Sequence, residues 1–294
     1  MLFRSPLISD ESKGVCRKIR GADVSLPYPR PACLNTLDQL LQKYARPAYQ
    51  AVLSPAPTDG STEEFSTASK FGGAPYFEEG ESWPVCTKCG KQETFICQLD
   101  LLSCPAVHLP DCFGLLSFFY CFHCFPWDAP QPGWTVRNYR DAQPRKAMTL
   151  QPPPIKEPGF LKKLFGGQHE KVKCCLVKFE LFDCYPQLDE LDEIGDEDDK
   201  KLLSDVELND NYYERVDELT GKSDNFGTLV GGYSQWIQSF PPDLKCKYCN
   251  KWMRQLVQIG SHRETEIMFG DAGSIYLSIC DEHPQDITMM LQCF

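Results

Sequence analysis

Three Cys-x2-Cys pairs stand out along the chain: Cys86/Cys89, Cys121/Cys124 and Cys246/Cys249. Two thiolates two residues apart on a tight turn can both face one metal ion. Zinc takes four ligands tetrahedrally, so one such knuckle needs a second. In Cys86-Thr-Lys-Cys89-Gly90 the glycine is free to take the positive φ that closes the turn. Cys121-Phe-His-Cys124 follows after 31 residues, a gap wider than the usual ribbon spacing but one that neighbouring strands can bridge.

The third pair looks orphaned until the chain is laid over itself. Cys86-Thr-Lys-Cys89-Gly-Lys-Gln-Glu-Thr-Phe-Ile-Cys-Gln98-Leu99 matches Cys246-Lys-Tyr-Cys249-Asn-Lys-Trp-Met-Arg-Gln-Leu-Val-Gln258-Ile259, with the glutamine nine residues after the second cysteine in both. Lys91 falls on Lys251. Asn250, a residue that tolerates positive φ, replaces Gly90. Upstream, Gly72-Gly73 corresponds to Gly231-Gly232. Downstream, Gly114 and Gly273 each open a strand that ends in a cysteine seven residues on. In this correspondence His283 stands where Cys124 stands, so the second half offers Cys246, Cys249, Cys280 and His283, with 30 residues between its knuckles.

The sequence therefore predicts two structural zinc sites, Cys86/Cys89/Cys121/Cys124 and Cys246/Cys249/Cys280/His283. A catalytic zinc keeps a vertex open for water, whereas both sets supply four protein ligands. A redox Cys-x2-Cys would want a thioredoxin-like βαβ setting, and none surrounds any pair. Cys16, Cys33, Cys97, Cys104, Cys112, Cys174, Cys175, Cys184 and Cys293 show no ligand spacing and are expected to be small buried hydrophobes. No Walker A loop, G-x-G-x-x-G, G-x-S-x-G or H-E-x-x-H occurs. His123 lies inside a knuckle, where inner residues face solvent, and Asp271 reads as a turn cap in Gly270-Asp-Ala-Gly273 rather than as a catalytic acid. No catalytic or cofactor-binding residue other than the metal ligands is expected.

These side chains need strands to carry them. Short β-rich runs dominate from Phe71 onward: Phe95–Leu101, Leu115–Tyr120, Trp134–Tyr139, Cys175–Phe182, Gln255–Ile259 and Ser274–Ile279, separated by turn residues. Leu37, Leu40, Leu41 and Tyr44 space an amphipathic helix from about Thr36 to Arg46, which Pro47 limits. A second amphipathic helix carries Tyr212, Val216 and Leu219 and stops near Gly221. Residues 1–33 read as loop and extended chain. Residues 151–173 are Pro-rich, then basic. Asp189 to Asp199 holds eight acids, read as an exposed acidic loop because charges so dense repel one another.

The 294 residues suffice for a sizeable core, and a composition of 42% hydrophobic and 24% charged is globular. Thirty Lys+Arg against 41 Asp+Glu give a net charge of −11, which argues against nucleic acid as partner and suits a basic protein. No run of about 18 apolar residues occurs, so no membrane span is expected. Met1 to Arg20 has no signal-peptide core, so sixteen cysteines point to a reducing compartment, cytoplasmic or also nuclear, rather than to a disulfide framework.

Two families meet at these residues. Ser69-Lys-Phe-Gly-Gly-Ala-Pro-Tyr76, Trp83-Pro84, Gln98-Leu-Asp-Leu101 and Phe269-Gly-Asp-Ala-Gly273 resemble the YwqG-like family, a single α+β domain with an internal pseudo-duplication and no settled activity. The knuckles, with Trp134-Thr-Val-Arg-Asn-Tyr-Arg-Asp-Ala-Gln-Pro-Arg-Lys-Ala147, are similar to the programmed cell death protein 2 family. That family's C-terminal half carries another Cys-x2-Cys followed by a strand glutamine, as Cys246, Cys249 and Gln258 do here. The second resemblance implies a chaperone of a small-subunit ribosomal protein.

The expectation is thus a pseudo-duplicated α+β protein, two antiparallel β-rich halves around one core, each with a zinc-ribbon-like knuckle pair, plus an N-terminal helix. Residues 1–64 form the N-terminal segment and helix, 65–150 the first half, 151–225 an insertion with the acidic loop and a helix, and 226–294 the second half. The function expected is that of an intracellular zinc-stabilised binding protein, a chaperone or assembly adaptor for a basic client such as a ribosomal protein. The alternative is an enzyme of unassigned class with a pocket at the seam between the halves. Bound small molecules beside convergent titratable groups would favour the enzyme, and a broad acidic or apolar surface the binder.

Overall fold

The computed structural model describes residues 32–56, 66–148, 150, 172–221 and 227–294. Of the loop expected over 1–33, residues 1–31 lie outside them, as does almost all of the Pro-rich basic stretch, while Ala32 and Cys33 belong to a helix.

Ten strands form one antiparallel sheet: β1 (Arg46–Pro55), β2 (Lys70–Phe71), β3 (Thr94–Asp100), β4 (Leu115–Tyr120), β5 (Trp134–Tyr139), β6 (Cys175–Cys184), β7 (Leu229–Gly231), β8 (Arg254–Gly260), β9 (Ser274–Ile279) and β10 (Ile287–Gln292). Their order is β10-β9-β8-β7-β1-β6-β2-β3-β4-β5. The long β1–β6 ladder, Arg46 opposite Cys184 to Pro55 opposite Cys175, is the centre. Four strands flank it on either side.

Side-chain alternation along the strands loads both faces. Leu116, Phe118 and Tyr120 of β4 and Ile275, Leu277 and Ile279 of β9 enter one shared core with Phe71, Leu99, Val257 and Phe269. Each such side chain contributes roughly 1.5–3 kcal/mol by leaving water. The residues between them face the other way. Leu115 packs under Tyr76 and Tyr139, Phe119 under Phe77 and Phe95, and Tyr276 under Trp236 and Phe240. Both faces are covered, which explains the continuous burial of β4 and β9.

The sheet also curls until its flanks touch. Asp128, between β4 and β5, bridges to Met290 of β10, the opposite edge strand, and Leu291 N–H donates to Trp127 O at 2.8 Å.

Among the described residues, four helices pack beside the sheet: α1 (Ala32–Tyr44), α2 (Leu188–Ile194), α3 (Glu197–Leu203) and α4 (Val206–Thr220). Leu37, Leu40 and Leu41 of α1 meet Leu191, Leu203, Leu208 and Tyr212 in a second core. The first helix starts at Ala32 rather than Thr36 and stops at Tyr44, two residues earlier than expected. The last ends at Thr220, where Gly221 takes φ +67°.

The acidic loop expected from Asp189 to Asp199 is a correction: the segment is helical, α2 and the start of α3. Leu188, Leu191, Ile194, Leu202 and Leu203 supply an apolar stripe, and the acids do not all face water. Asp196 caps α3, accepting from the N–H groups of Asp198 and Asp199 in a capping box. Asp199 is buried and accepts from Lys43 Nζ at 2.6 Å and from Tyr44 Oη at 2.5 Å. Asp189 accepts the Phe240 N–H at 2.5 Å. Carboxylates in first turns also meet the positive end of the helix dipole.

Candidate metal centres

The antiparallel register assembles the ligands. Each half carries one knuckle just before a strand and another just after its partner. Thr94 at the start of β3 lies opposite Tyr120 at the end of β4, so Cys86/Cys89 and Cys121/Cys124 arrive at the same end of the pair. Arg254 lies opposite Ile279 in the same way, so Cys246/Cys249 meets Cys280/His283. Gaps of about 30 residues are what two strands and their connection consume.

All four ligand atoms lie within 4.8 Å of one another in each tetrad. Cys86 Sγ is 3.6 Å from Cys124 Sγ, Cys89 Sγ 3.7 Å from Cys121 Sγ, and Cys249 Sγ 3.5 Å from Cys280 Sγ. His283 turns Nδ1 to the thiols, 3.6 Å from Cys246 Sγ and 3.8 Å from Cys280 Sγ. Bonds of about 2.3 Å to sulfur and 2.05 Å to nitrogen, arranged tetrahedrally, require S···S near 3.8 Å and S···N near 3.6 Å. The residues fit that geometry. Both groups can hold a metal ion and are compatible with zinc.

The knuckle backbones explain the preformed turns. Cys86 N–H donates to Lys91 O and Gly90 N–H to Cys86 O, both at 2.8 Å; Cys246 N–H to Lys251 O and Asn250 N–H to Cys246 O repeat those bonds at 2.8 Å. Gly90 sits at φ +68° and Asn250 at φ +57°, the conformation read from sequence. Burial pushes the Cys89 thiol up, but the Lys91 main-chain N–H and its neighbouring thiols outweigh that and hold it below the usual thiol range. The Lys251 N–H donates to Cys249 in the matching place, although there burial and the Cys280 and Cys246 thiols outweigh it and push that thiol up to about 11. Donors of this kind favour thiolate, the form that ligates metal.

Surroundings differ between the two. His123 is exposed, as expected, and its Nδ1 lies 3.0 Å from Lys91 Nζ. Around the second tetrad Lys251 pairs with Glu282, Lys247 with Asp286 at 2.6 Å and Arg254 with Asp281 at 2.7 Å. The Tyr248 ring lies 5.1 Å from that of His283.

Sequence reasoning missed Gly133. At φ +117° it accepts the Cys121 N–H at 2.7 Å, and a Cβ there would lie 3.3 Å from Cys86 Sγ. Its only signal was a glycine beside Pro132 ahead of a strand. The glutamines found by self-comparison are not ligands. Gln98 is fully buried; it accepts the Tyr76 N–H and donates to Ser66 O and Ala68 O, each at 2.8 Å. Gln258 accepts the Gln235 N–H at 2.8 Å and donates to Gly227 O at 3.0 Å. Of the cysteines without ligand spacing, Cys97, Cys104, Cys175 and Cys184 are buried, whereas Cys112 is exposed and Cys174 and Cys293 are half-buried.

Among the described residues, a ten-stranded antiparallel sheet with four helices and two four-ligand groups able to hold a metal ion defines the class. The chain belongs to the family described as a domain of unknown function (DUF1963), whose sequence model matches residues 69–287. No curated protein matches the chain. Among the described residues no helix is long and apolar enough to cross a membrane.

Proposed function

We propose that this chain is a zinc-stapled binding protein. It is built from two duplicated β-rich units, each with one structural zinc, and holds a basic protein client as a chaperone or assembly adaptor in the cytoplasm or nucleus. The observation that carries the reading is the completeness of both tetrads, four protein ligands within 4.8 Å in each. A zinc so enclosed has no vertex left for water or substrate and serves the fold. The ligand thiols must lose protons, and the site hardly exists in the unfolded chain, so metal binding becomes folding free energy.

Duplication is supported by features that recur at matching positions. The knuckle hydrogen bonds are the same. Register shifts fall between Phe95 and Cys97 in β3 and between Gln255 and Val257 in β8. Gly72-Gly73 and Gly231-Gly232 all have positive φ. Gln98 and Gln258 make the same type of clamp.

Charge distribution supports the partner's chemistry. Residues 188–221 hold fourteen acids and three bases, a net −11; the rest of the chain holds 27 of each sign. The whole net charge thus sits on the helical layer, which suits a basic surface. The resemblance to the programmed cell death protein 2 family adds the client class, a small-subunit ribosomal protein.

Elemental analysis of protein purified without added metal is expected to find about two zinc ions per chain, and a strong chelator to unfold or aggregate it. A chain that loses both ions and keeps its melting temperature would exclude a structural role.

A further inference from the structure

The two tetrads belong to opposite flanks of the strand order, yet one short segment joins them. Cys121 and Cys124 open the segment 121–128, which ends in the Asp128–Met290 bridge and the Leu291 N–H to Trp127 O bond. Met290 in turn packs against the cluster that contains Cys246, Cys280 and Cys249. The far edge of the sheet is therefore held by a loop whose own shape is set at the first tetrad.

Segment 121–128 has no regular secondary structure, and Phe125 adopts φ +49°, an uncommon conformation for a bulky residue. Its anchors include the Cys121 N–H to Gly133 O bond at 2.7 Å, the Phe125 N–H to Cys121 O bond at 2.8 Å, the Tyr120 hydroxyl on Pro126 O at 2.8 Å, the Phe122 and Phe125 rings edge-on to Tyr120, and the Phe122 ring stacked 6.0 Å from Phe269. Both backbone bonds run through Cys121, a ligand of the first tetrad.

We infer that segment 121–128 is a metal-set strap: an ion at the first tetrad shapes it to close the sheet onto β10, and this closure couples the two metal centres. The inference rests on the zinc reading. Filling the first site favours the closed sheet, in which Met290 supports the second tetrad. By linkage, filling the second favours the first by the same factor. The strap is the bistable element that both sites bias.

The test uses the full zinc-loaded chain and a chromophoric chelator, with amide hydrogen exchange read at Leu291. Cys121→Ser/Cys124→Ser should speed zinc release from the second site roughly ten-fold, the middle of the usual coupling range, and speed Leu291 exchange in parallel. Because that variant removes ligands and could misfold, Phe122→Ala provides a second arm with both tetrads intact. Phe122→Ala should likewise speed second-site release and Leu291 exchange while the first site stays filled. Unchanged second-site release both after loss of the first ion and in Phe122→Ala overturns the strap while leaving the zinc reading in place. A wild-type chain with no metal overturns both.

Discussion

His283 and Cys124 each complete a four-ligand group but differ in charge as well as donor atom. Under the zinc reading, three thiolates and an imidazole leave one negative charge on the second centre, where four thiolates leave two on the first. The imidazole is supported from outside: Tyr248 flanks its ring, and the Lys247–Asp286 and Lys251–Glu282 pairs bracket the turn. His283→Ala is expected to lower zinc content from about two ions toward one. His283→Cys should retain both, since a thiolate can take the same vertex. Zinc content by elemental analysis, with thermal melting alongside, decides it. Full metal content and an unchanged melt for His283→Ala would show that the imidazole is not a ligand. Six of the eight candidate ligands were legible from Cys-x2-Cys spacing, because turn geometry fixes a knuckle within four residues, while Cys280 and His283 came from matching the chain to itself. Gly133 was not, because its contact with Cys86 depends on how two distant segments pack.

At the scale of elements, α2 shows what local pattern hides. Glu190 belongs to a run of acids, yet its carboxyl group is enclosed where α2 meets the sheet, although part of the residue reaches the surface. Burial pushes it up to about 8, against the opposing pull of the Trp236 indole N–H, 3.3 Å away, and of the Arg46 guanidinium. Asp189, Cys184, Tyr212 and Tyr233 complete its ionisable surroundings. A raised folded-state value means that the folded protein holds the proton longer than the unfolded chain. Its contribution is therefore full below the ordinary carboxylate range and is lost as pH rises toward and through about 8. Glu190→Gln keeps an acceptor for Trp236 without the charge. It should flatten the fall in melting temperature between pH 6 and pH 8.5 and leave the variant the more stable protein at the alkaline end. Parallel melting curves for the two proteins across that window would show that Glu190 is not buried as a neutral acid. The acid run was legible as charge but not as helix, since the leucines that bury its other face find their partners on α1, about 150 residues earlier. Strands β1, β2, β7 and β10 also escaped, β1 for a related reason. Prolines at two of its ten positions and two alanines give β1 little intrinsic strand preference, and only its place at the centre of the sheet makes it one.

For the whole molecule, the proposed binding of a basic client gives the charge separation a kinetic signature. Asp192, Glu193, Asp196, Glu197 and Asp198 are exposed, Asp196 also capping α3, whereas Asp189, Glu190 and Asp199 hold the helical layer together. Neutralising the four exposed acids other than the cap, Asp192, Glu193, Glu197 and Asp198, to Asn and Gln takes the net charge from −11 to −7. It should slow association with a Lys/Arg-rich ribosomal protein by a few-fold at low salt. The difference should shrink as salt shortens the Debye length toward about 8 Å. Zinc content and melting temperature should hold. On-rates at two salt concentrations measure this, and identical low-salt rates for variant and wild type would remove the helical layer from the encounter. Neutralising all eight acids would confuse the result, because the buried ones support folding.

The central ladder also dictates a history for each molecule. Pro55 pairs with Cys175 and Arg46 with Cys184, partners 120 and 138 residues apart, whereas Thr94 and Tyr120, at the ends of β3 and β4 beside the first tetrad, are only 26 apart. Chain closure over such distances is slow compared with hairpin formation. A growing polypeptide leaving the ribosome therefore has both outer hairpin strands and all four thiols of the first tetrad available long before β6 exists to seat them. β1 must wait through more than a hundred residues with its ladder unmade. A metal captured early would then act on the nascent chain as a local pin, holding half of the sheet in register until its middle is synthesised.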